Sequence, residues 1–302
     1  MNDQPEQQEK EKKEEKRYDH VLIPVSNPDT AEQLIRLAAR ITTPSSTLYI
    51  MNVNTETSFT KRASSWRKSS KLVMEMVHLA RRLSRVAEPK TAISKSIPDA
   101  VLKTAGEVEA DLIIMGWFGK VIPVAVRKSS VVNKILHRAS CDTAVLKSRG
   151  DIQEVNRIIF PVGSKFNRER FAAVKAFRRL SGTKVILVNV LTPGMIKEED
   201  KARENLTEYA EELGEPVEIK VKHSRNVVEG ILSLAEEKDL IAIGPGREWV
   251  FNRFLFGLRA DQITNRAPCT VLMYKSRELK VKSWIMGLFK AVWMKIYRRG
   301  KE

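Results

Sequence analysis

Apolar positions along this chain follow two periods, one typical of buried parallel strands and one typical of the helices that cover them. Continuous apolar runs at residues 20–25, 47–53 and 111–116 predict buried strands, and helical spacing at 30–42 and 70–87 predicts amphipathic helices. The other elements of this unit are a weaker strand at 90–97, a helix from Pro98 to about Val108, a short helix at 130–138 and a strand at 143–147. Strands that are apolar on both faces and alternate with helices favour a parallel sheet covered on both faces.

The same order of elements occurs a second time. Matching segments are RIIFPVG with HVLIPVS, TKVILVNV with STLYIMNV, and KDLIAIGPG with ADLIIMGWFG. Three pairs of identical residues are each separated by 128 positions. They are Asp111 and Asp239, Gly116 and Gly244, and Cys141 and Cys269. At the first strand the offset is 137, from Pro24 to Pro161, so copy one contains extra residues. The basic, serine-rich stretch near 55–70 is the predicted insertion.

The repeat divides the chain into four segments. They are a charged, low-complexity arm at 1–18, copy one at 19–150, copy two at 151–276 and a basic amphipathic helix at 277–302. The expected fold is α/β, with two tandem doubly wound parallel sheets of five strands each. Because exposed strand edges pair or are covered, we expect the last strands of the two copies to meet within the chain as an intramolecular pseudo-dimer, with a homodimer of chains as an open alternative.

Positive charge is concentrated in three stretches. The chain has a net charge of +16, to which residues 61–71, 120–138 and 280–302 contribute +5, +5 and +6. Clustered charge favours contact with specific anions over a uniformly basic surface. The first twenty residues are polar, and no apolar run reaches the ~20 residues that span a bilayer. A cytoplasmic location is therefore expected, with peripheral attachment to the inner face of the membrane as an alternative.

The loop after the fourth strand of copy one carries the candidate chemistry. It contains GWFG at 116–119, nine further residues, and then Ser129 and Ser130 before a helix. Glycines at the carboxyl end of a parallel strand let backbone N–H groups approach phosphates, and the next helix offers its positive N-terminus. With the short helix and last strand that follow, this segment resembles the G-x2-G-x9-G-(S/T) region of ATP-binding universal stress proteins.

The resemblance to the universal stress protein family spans residues 20–147 and, less closely, 157–275. It implies an adenine nucleotide alpha hydrolase-like fold and a site for ATP or AMP in copy one only. Carried over residue by residue, the nucleotide contacts are Pro24, Val25, Ser26, Val53, Met115, Gly116, Gly119, Ser129, Ser130 and Val131. The family usually has Asp where Ser26 stands and Gly where Ser129 stands, so weaker selectivity for the ribose and a more crowded phosphate loop are expected.

Copy two departs further from the family's motif. Arg247 occupies the position of the second glycine, Leu258 replaces the hydroxyl residue, and Gly163 replaces the first-strand acid. Pro245 also lacks a backbone N–H donor. We expect copy two not to bind nucleotide, or to hold an altered site in which Arg247 contacts a phosphate. A purely structural strand-to-helix connection is the alternative interpretation of both loops.

No residue pattern indicates catalysis or metal binding. Cys141 and Cys269 begin equivalent strands without metal-type spacing, so we expect them to be small buried hydrophobic residues. Asp111 and Asp239 also begin equivalent strands, and we expect them to end helices or to bond the backbone. Neither a nucleophile–base pair nor paired carboxylates are apparent, which favours a protein that is not an enzyme.

The C-terminal stretch 280–302 differs from the rest of the chain. It combines apolar residues at helical spacing, Trp284 and Trp293 among them, with interleaved lysines. Such a helix binds an anionic membrane surface or a membrane-protein partner, or else packs on the domains. The favoured function is a non-enzymatic, nucleotide-binding stress-response or regulatory protein. The alternative is a nucleotide-independent membrane-surface adaptor that regulates a transporter, and nucleic-acid binding is the least favoured because no aromatic stacking platform is apparent.

Overall fold

The computed structural model describes residues 18–56, 59–117, 131–163, 183–213, 217–244 and 258–277. In copy one, strands β1 to β5 span His20–Pro24, Thr47–Asn54, Val86–Ile93, Leu112–Gly116 and Asp142–Lys147, and helices α1 to α4 span Pro28–Ile41, Phe59–Arg82, Ile97–Glu107 and Val131–Arg138. In copy two, β6 to β10 span Arg157–Pro161, Lys184–Leu191, Glu218–His223, Asp239–Ile243 and Thr270–Lys275, and α5 to α7 span Glu199–Leu213, Val227–Leu232 and Leu258–Arg266. The predicted C-terminal helix lies outside the described residues.

All ten strands belong to one sheet, in the order β3-β2-β1-β4-β5-β10-β9-β6-β7-β8. Neighbouring strands are parallel within each copy, whereas β5 and β10 are antiparallel. In that junction Val145 lies opposite Met273, and these two residues occupy equivalent positions of the repeat. The last strands therefore meet as predicted, and a pseudo-two-fold axis passes between these two residues. The junction covers both apolar strand edges.

Helices cover both faces of the sheet, as expected for a doubly wound fold. Leu34 of α1, Leu72 of α2 and Leu206 of α5 belong to the core on one face. Val101 of α3 and Ile263 of α7 belong to the core on the other face, together with residues of α4 and α6. Within the part of the chain that the structure describes, no helix is long and apolar enough to cross a membrane.

Two lysines join the copies reciprocally at the β5–β10 junction. Lys147 Nζ donates a hydrogen bond to the carbonyl oxygen of Thr264 at 2.7 Å, and Lys275 Nζ donates to the carbonyl oxygen of Leu136. Each carbonyl lies in the last turn of a helix of the other copy, where carbonyl groups lack helical partners and the helix dipole favours a cation. The two lysines are equivalent positions of the repeat, and so are the two carbonyls, so the repeat extends to these individual bonds.

A buried hydrogen-bond network at the same junction centres on Asp142. Tyr18 Oη donates to Asp142 Oδ2 at 2.9 Å and lies 2.7 Å from Tyr274 Oη, which also donates to Asp142 Oδ2. The backbone N–H of Arg277 donates to Asp142 Oδ1 at 2.8 Å. Burial, with the nearby Tyr274 and Asp142, raises the pKa of Tyr18 well above its usual value. Tyr18 is the last residue of the charged arm predicted at 1–18, yet its side chain is only 1% exposed, so the packed part of the chain includes this residue.

The second helix and third strand differ from the sequence prediction. The helix predicted at 70–87 begins at Phe59 and ends at Arg82, and the strand predicted at 90–97 is β3, Val86–Ile93. Ser84 has a φ of 58°, a left-handed conformation that ends a helix, although the apolar spacing continues past it. β3 lies at the edge of the sheet with only Ala87 fully buried, so its hydrophobic signal is weak.

The extra residues of copy one lengthen a helix. α2 has 24 residues, whereas α5, at the same place in copy two, has 15. The repeat offset falls from 137 at β2 and β7 to 130 at β3 and β8, so seven of the nine extra residues lie between the second and third strands of copy one. Among the described side chains of α2, from Ala63 onwards, burial begins at Leu72. The predicted insertion near 55–70 is thus an N-terminal extension of α2.

Both cysteines are buried, as expected from the sequence, which makes their thiols unreactive. Burial raises the pKa of Cys141 to about 12 and that of Cys269 to about 11. At about pH 8, a thiol-reactive disulfide such as DTNB should modify the native chain at least about a hundredfold more slowly than the denatured chain. Because the folded pKa values are raised, the stability from these protonated thiols is complete below about pH 9 and lost as pH rises further.

Substitution by alanine should change the free energy of unfolding in opposite directions at two helical glycines. A Cβ at Gly230 in α6 would lie 2.5 Å from Val190 Cγ1, whereas a Cβ at Gly106 in α3 would meet no atom within 4 Å. We expect Gly230→Ala to lower the free energy of unfolding by about 1–3 kcal/mol through overpacking. Gly106→Ala should raise it by about 0.5–1 kcal/mol, because alanine favours the helix. Urea unfolding measures both, and equal effects would contradict this account of the α6–β7 contact.

Candidate functional site

A cavity of about 180 Å³ opens at the carboxyl edge of the copy-one sheet. It lies where β1, β2 and β4 end and where α4 begins, which is where parallel α/β sheets bind ligands. Its walls are predominantly apolar and come from both layers of helices. The lining residues are Pro24, Val25, Ser26, Thr30, Leu34, Met51, Asn52, Val53, Ile97, Val101, Met115, Gly116, Val131, Val132 and Ile135.

The cavity brings together every predicted site residue that the structure describes. These are Pro24, Val25 and Ser26 at the end of β1, Val53 in β2, Met115 and Gly116 in β4, and Val131 at the start of α4. Gly119, Ser129 and Ser130 lie outside the described residues. Separate stretches of the sequence thus converge on one site, although contact between these residues and a ligand remains a prediction.

Sequence reasoning missed the asparagine that organises this site. Asn52 Nδ2 donates a hydrogen bond of 2.7 Å to the carbonyl oxygen of Val25 and so fixes the end of β1 against β2. In copy two, Asn189 Nδ2 donates likewise to the carbonyl oxygen of Val162 at 3.1 Å. The two asparagines are 137 positions apart, as are the two valines, which is the offset found at the first strand. The two hydrogen bonds are therefore equivalent in the repeat. The repeated Asn-Val at the end of the second strand was the signal that could have identified Asn52.

The chemistry of the cavity suits a ligand with an apolar part and an anionic part. Its described lining contains no acidic or basic side chain, and Ser26, Thr30 and Asn52 supply the polar groups. Apolar walls with a few placed polar groups are typical of small-molecule sites. Val131 begins α4, so the positive end of that helix borders the cavity. The +5 segment at 120–138 includes this border, which favours an anionic ligand group there.

The described part of the corresponding region of copy two contains one close contact between a helix and a strand. α6 approaches β7 so closely at Gly230 that no side chain fits between them, whereas its counterpart α3 helps to line the cavity of copy one. At the start of α7, Arg259 occupies the place that Val131 has in copy one. These differences accompany the altered loop motif, most of which lies outside the described residues.

The two strand-initial aspartates have structural roles, as expected. Asp111 Oδ2 accepts the backbone N–H groups of Asp19 at 2.6 Å and His20 at 3.2 Å. Asp239 forms a bidentate salt bridge with Arg157, with N–O distances of 2.8 and 2.6 Å, and it also accepts a hydrogen bond from the backbone N–H of Glu236. Within the described ranges, no group of three or more His, Cys, Asp or Glu side chains could hold a metal ion.

Comparison with known proteins agrees with this architecture. The model of the universal stress protein family matches residues 17–147 and 154–275, one match for each copy. The chain belongs to the universal stress protein family. A curated relative, the Na(+)/H(+) antiporter NhaS5 of Synechocystis, is 27% identical over 176 residues, which are 57% of this chain and 25% of the antiporter. The chain thus spans about a quarter of the length of that relative.

Two solved structures have the same fold across most of the chain. A universal stress protein from Archaeoglobus fulgidus has a TM-score of 0.61 at 16% identity, covering 85% of this chain and 96% of its own. The cytoplasmic domain of a prokaryotic cation chloride cotransporter has a TM-score of 0.60 at 10% identity, covering 85% of this chain and 95% of that domain. At these identities the similarity establishes the fold alone, namely the tandem α/β arrangement.

Proposed function

We propose that copy one binds an adenine nucleotide, ATP or AMP, and that the protein is a non-enzymatic stress-response or regulatory module. The observation that carries this proposal is the convergence of the predicted contact residues from β1, β2, β4 and α4 on one cavity. Membership of the universal stress protein family supports it, because the family's ATP-binding members carry a glycine-rich loop after the fourth strand.

Each part of the site has a role in this proposal. The apolar side chains of Val25, Val53 and Met115 enclose the base. The backbone N–H groups near Gly116 and Gly119 bind the phosphates, because glycines leave room for close approach. The bases of 120–138 balance the phosphate charge. Asn52 fixes the carbonyl of Val25 and so positions the end of β1.

Calorimetric titration of the full chain with ATP, ADP and AMP tests this function. We expect one site per chain, since only copy one retains the glycine-rich loop. Native mass spectrometry of the purified protein should detect the same nucleotide where it co-purifies. Absence of binding heat with all three nucleotides, together with no retained nucleotide, would refute the proposal.

A second candidate is an adaptor that acts at a membrane transporter. It is favoured by the sequence similarity to part of a Na(+)/H(+) antiporter and by the fold shared with a cotransporter's cytoplasmic domain. The basic C-terminal stretch 280–302 would provide the membrane contact. Vesicle sedimentation of the full chain and of a chain that ends at Glu278 tests this contact. The longer chain should sediment more strongly with anionic vesicles, and equal sedimentation would exclude a membrane role for the tail.

A further inference from the structure

The N-terminal extension of α2 is a basic surface with no role in the site described above. Residues 61–71 contain five basic and no acidic residues, and the corresponding helix of copy two begins instead with Glu199 and Asp200. The part of α2 that precedes Leu72 is about 20 Å long, and its described side chains, from Ala63 to Lys71, are exposed or half-buried. Among the described residues, copy one therefore has a basic helical extension at the place where α5 of copy two begins with acidic residues.

The described side chains of this extension are available for contact. Arg67 and Lys68 are exposed and take part in no ion pair among the described residues, and Lys71 has only an exposed 3.8 Å pair with Glu75. Trp66 is 38% exposed, an unusual position for a large aromatic side chain. A Trp beside unpaired bases combines an apolar anchor with positive charge.

The position of the extension is set by the fold. α2 begins shortly after the end of β2, so its first turns lie at the carboxyl edge of the copy-one sheet, where the cavity opens. Arg277, which precedes the basic tail, lies beside Asp142 at the amino end of β5, at the opposite edge of copy one. The first turns of α2 and Arg277 therefore lie at opposite edges of the copy-one sheet.

We propose that the extension of α2 is a contact surface for an anionic lipid bilayer. A protein interface of ordinary size buries about 800 Å² of surface on each partner, which is more than the few turns of this extension provide. Single-stranded nucleic acid requires a row of aromatic side chains, and within the described part of the extension Trp66 stands alone. A bilayer needs no shape complementarity, because each base adds attraction independently and a Trp side chain partitions into the interface.

Vesicle sedimentation of the full chain tests this proposal, with phosphatidylcholine vesicles that either contain or lack phosphatidylserine. Since each base near an anionic surface contributes about a factor of five, Arg67→Gln/Lys68→Gln should weaken binding to the anionic vesicles by about 25-fold. Trp66→Ser should weaken binding further. The matched control is Lys201→Gln/Arg203→Gln, which removes two exposed bases from α5 and should leave binding unchanged.

Each outcome decides the proposal, because the C-terminal tail is intact in every variant. Weaker anionic binding of the α2 variant with unchanged binding of the α5 variant supports a lipid surface at the extension. Equal binding of the wild type and the α2 variant would overturn it. A parallel titration measures binding of a single-stranded oligonucleotide. If the α2 variant loses this binding and keeps vesicle binding, the proposal is overturned in favour of nucleic acid. An equal loss in both variants would also overturn it, since only the net charge would then matter.

Discussion

Replacing Asp142 by Ala should lower the free energy of unfolding by about 3–5 kcal/mol, because it removes the acceptor shared by three donors. The hydroxyl groups of Tyr18 and Tyr274 and the backbone N–H of Arg277 all bond this carboxylate, which is only 2% exposed. Without it, polar groups remain buried at the junction of the two copies. Thermal unfolding should show a fall in melting temperature of roughly 10 °C.

Two further variants test whether the loss of stability comes from this network or from the removal of any acidic side chain. Asp142→Asn keeps one acceptor oxygen and should show a smaller loss than Asp142→Ala. Asp29→Ala removes an exposed acid in the first turn of α1 and should cost at most about 1 kcal/mol. Unfolding of Asp142→Ala at the wild-type temperature would show that the network does not hold the junction together.

The fold was largely predictable because its strands are buried on both faces. Continuous apolar runs of this kind, alternating with helical segments and repeated once, predict the succession of strands along the chain and the doubly wound class. That β5 and β10 meet also followed from the need to cover two apolar edges, whereas their antiparallel orientation was not predicted. The boundaries of α2 and β3 were wrong because an edge strand carries little hydrophobic signal and a left-handed Ser84 is not visible in apolar spacing.

The site was predictable only where a motif marks it. The strand ends and the glycine-rich loop identified seven residues that line the cavity. Thr30, Ile97 and Val101 were missed because they line it from helices, where their apolar spacing is the same as that of core residues. Tyr18, Tyr274 and the reciprocal lysines were also missed. Their partners lie in the other copy, and no local pattern records contacts between residues more than a hundred positions apart.

The largest functional effect is expected at the phosphate side of the copy-one cavity. Gly119→Asp should abolish nucleotide binding, because it adds both a side chain and a negative charge to the proposed phosphate loop. Val131→Glu should weaken binding by at least about tenfold, since it places a carboxylate at the start of α4 where the phosphates are expected. Val131 is 37% exposed and an acid is favourable in the first turn of a helix, so the variant should fold normally. Calorimetric titration with ATP measures both effects.

Copy two supplies the matched controls for this experiment. Arg259→Glu makes a larger change of charge at the position equivalent to Val131, and Arg247→Ala removes the base that replaces the second glycine. Both variants should bind ATP as the wild type does if copy one alone holds the site. Binding lost through Arg247→Ala or Arg259→Glu would instead place the nucleotide in copy two. Binding unaffected by Gly119→Asp and Val131→Glu would separate the cavity from the nucleotide and favour the adaptor function, because a charge placed against bound phosphates cannot be without effect.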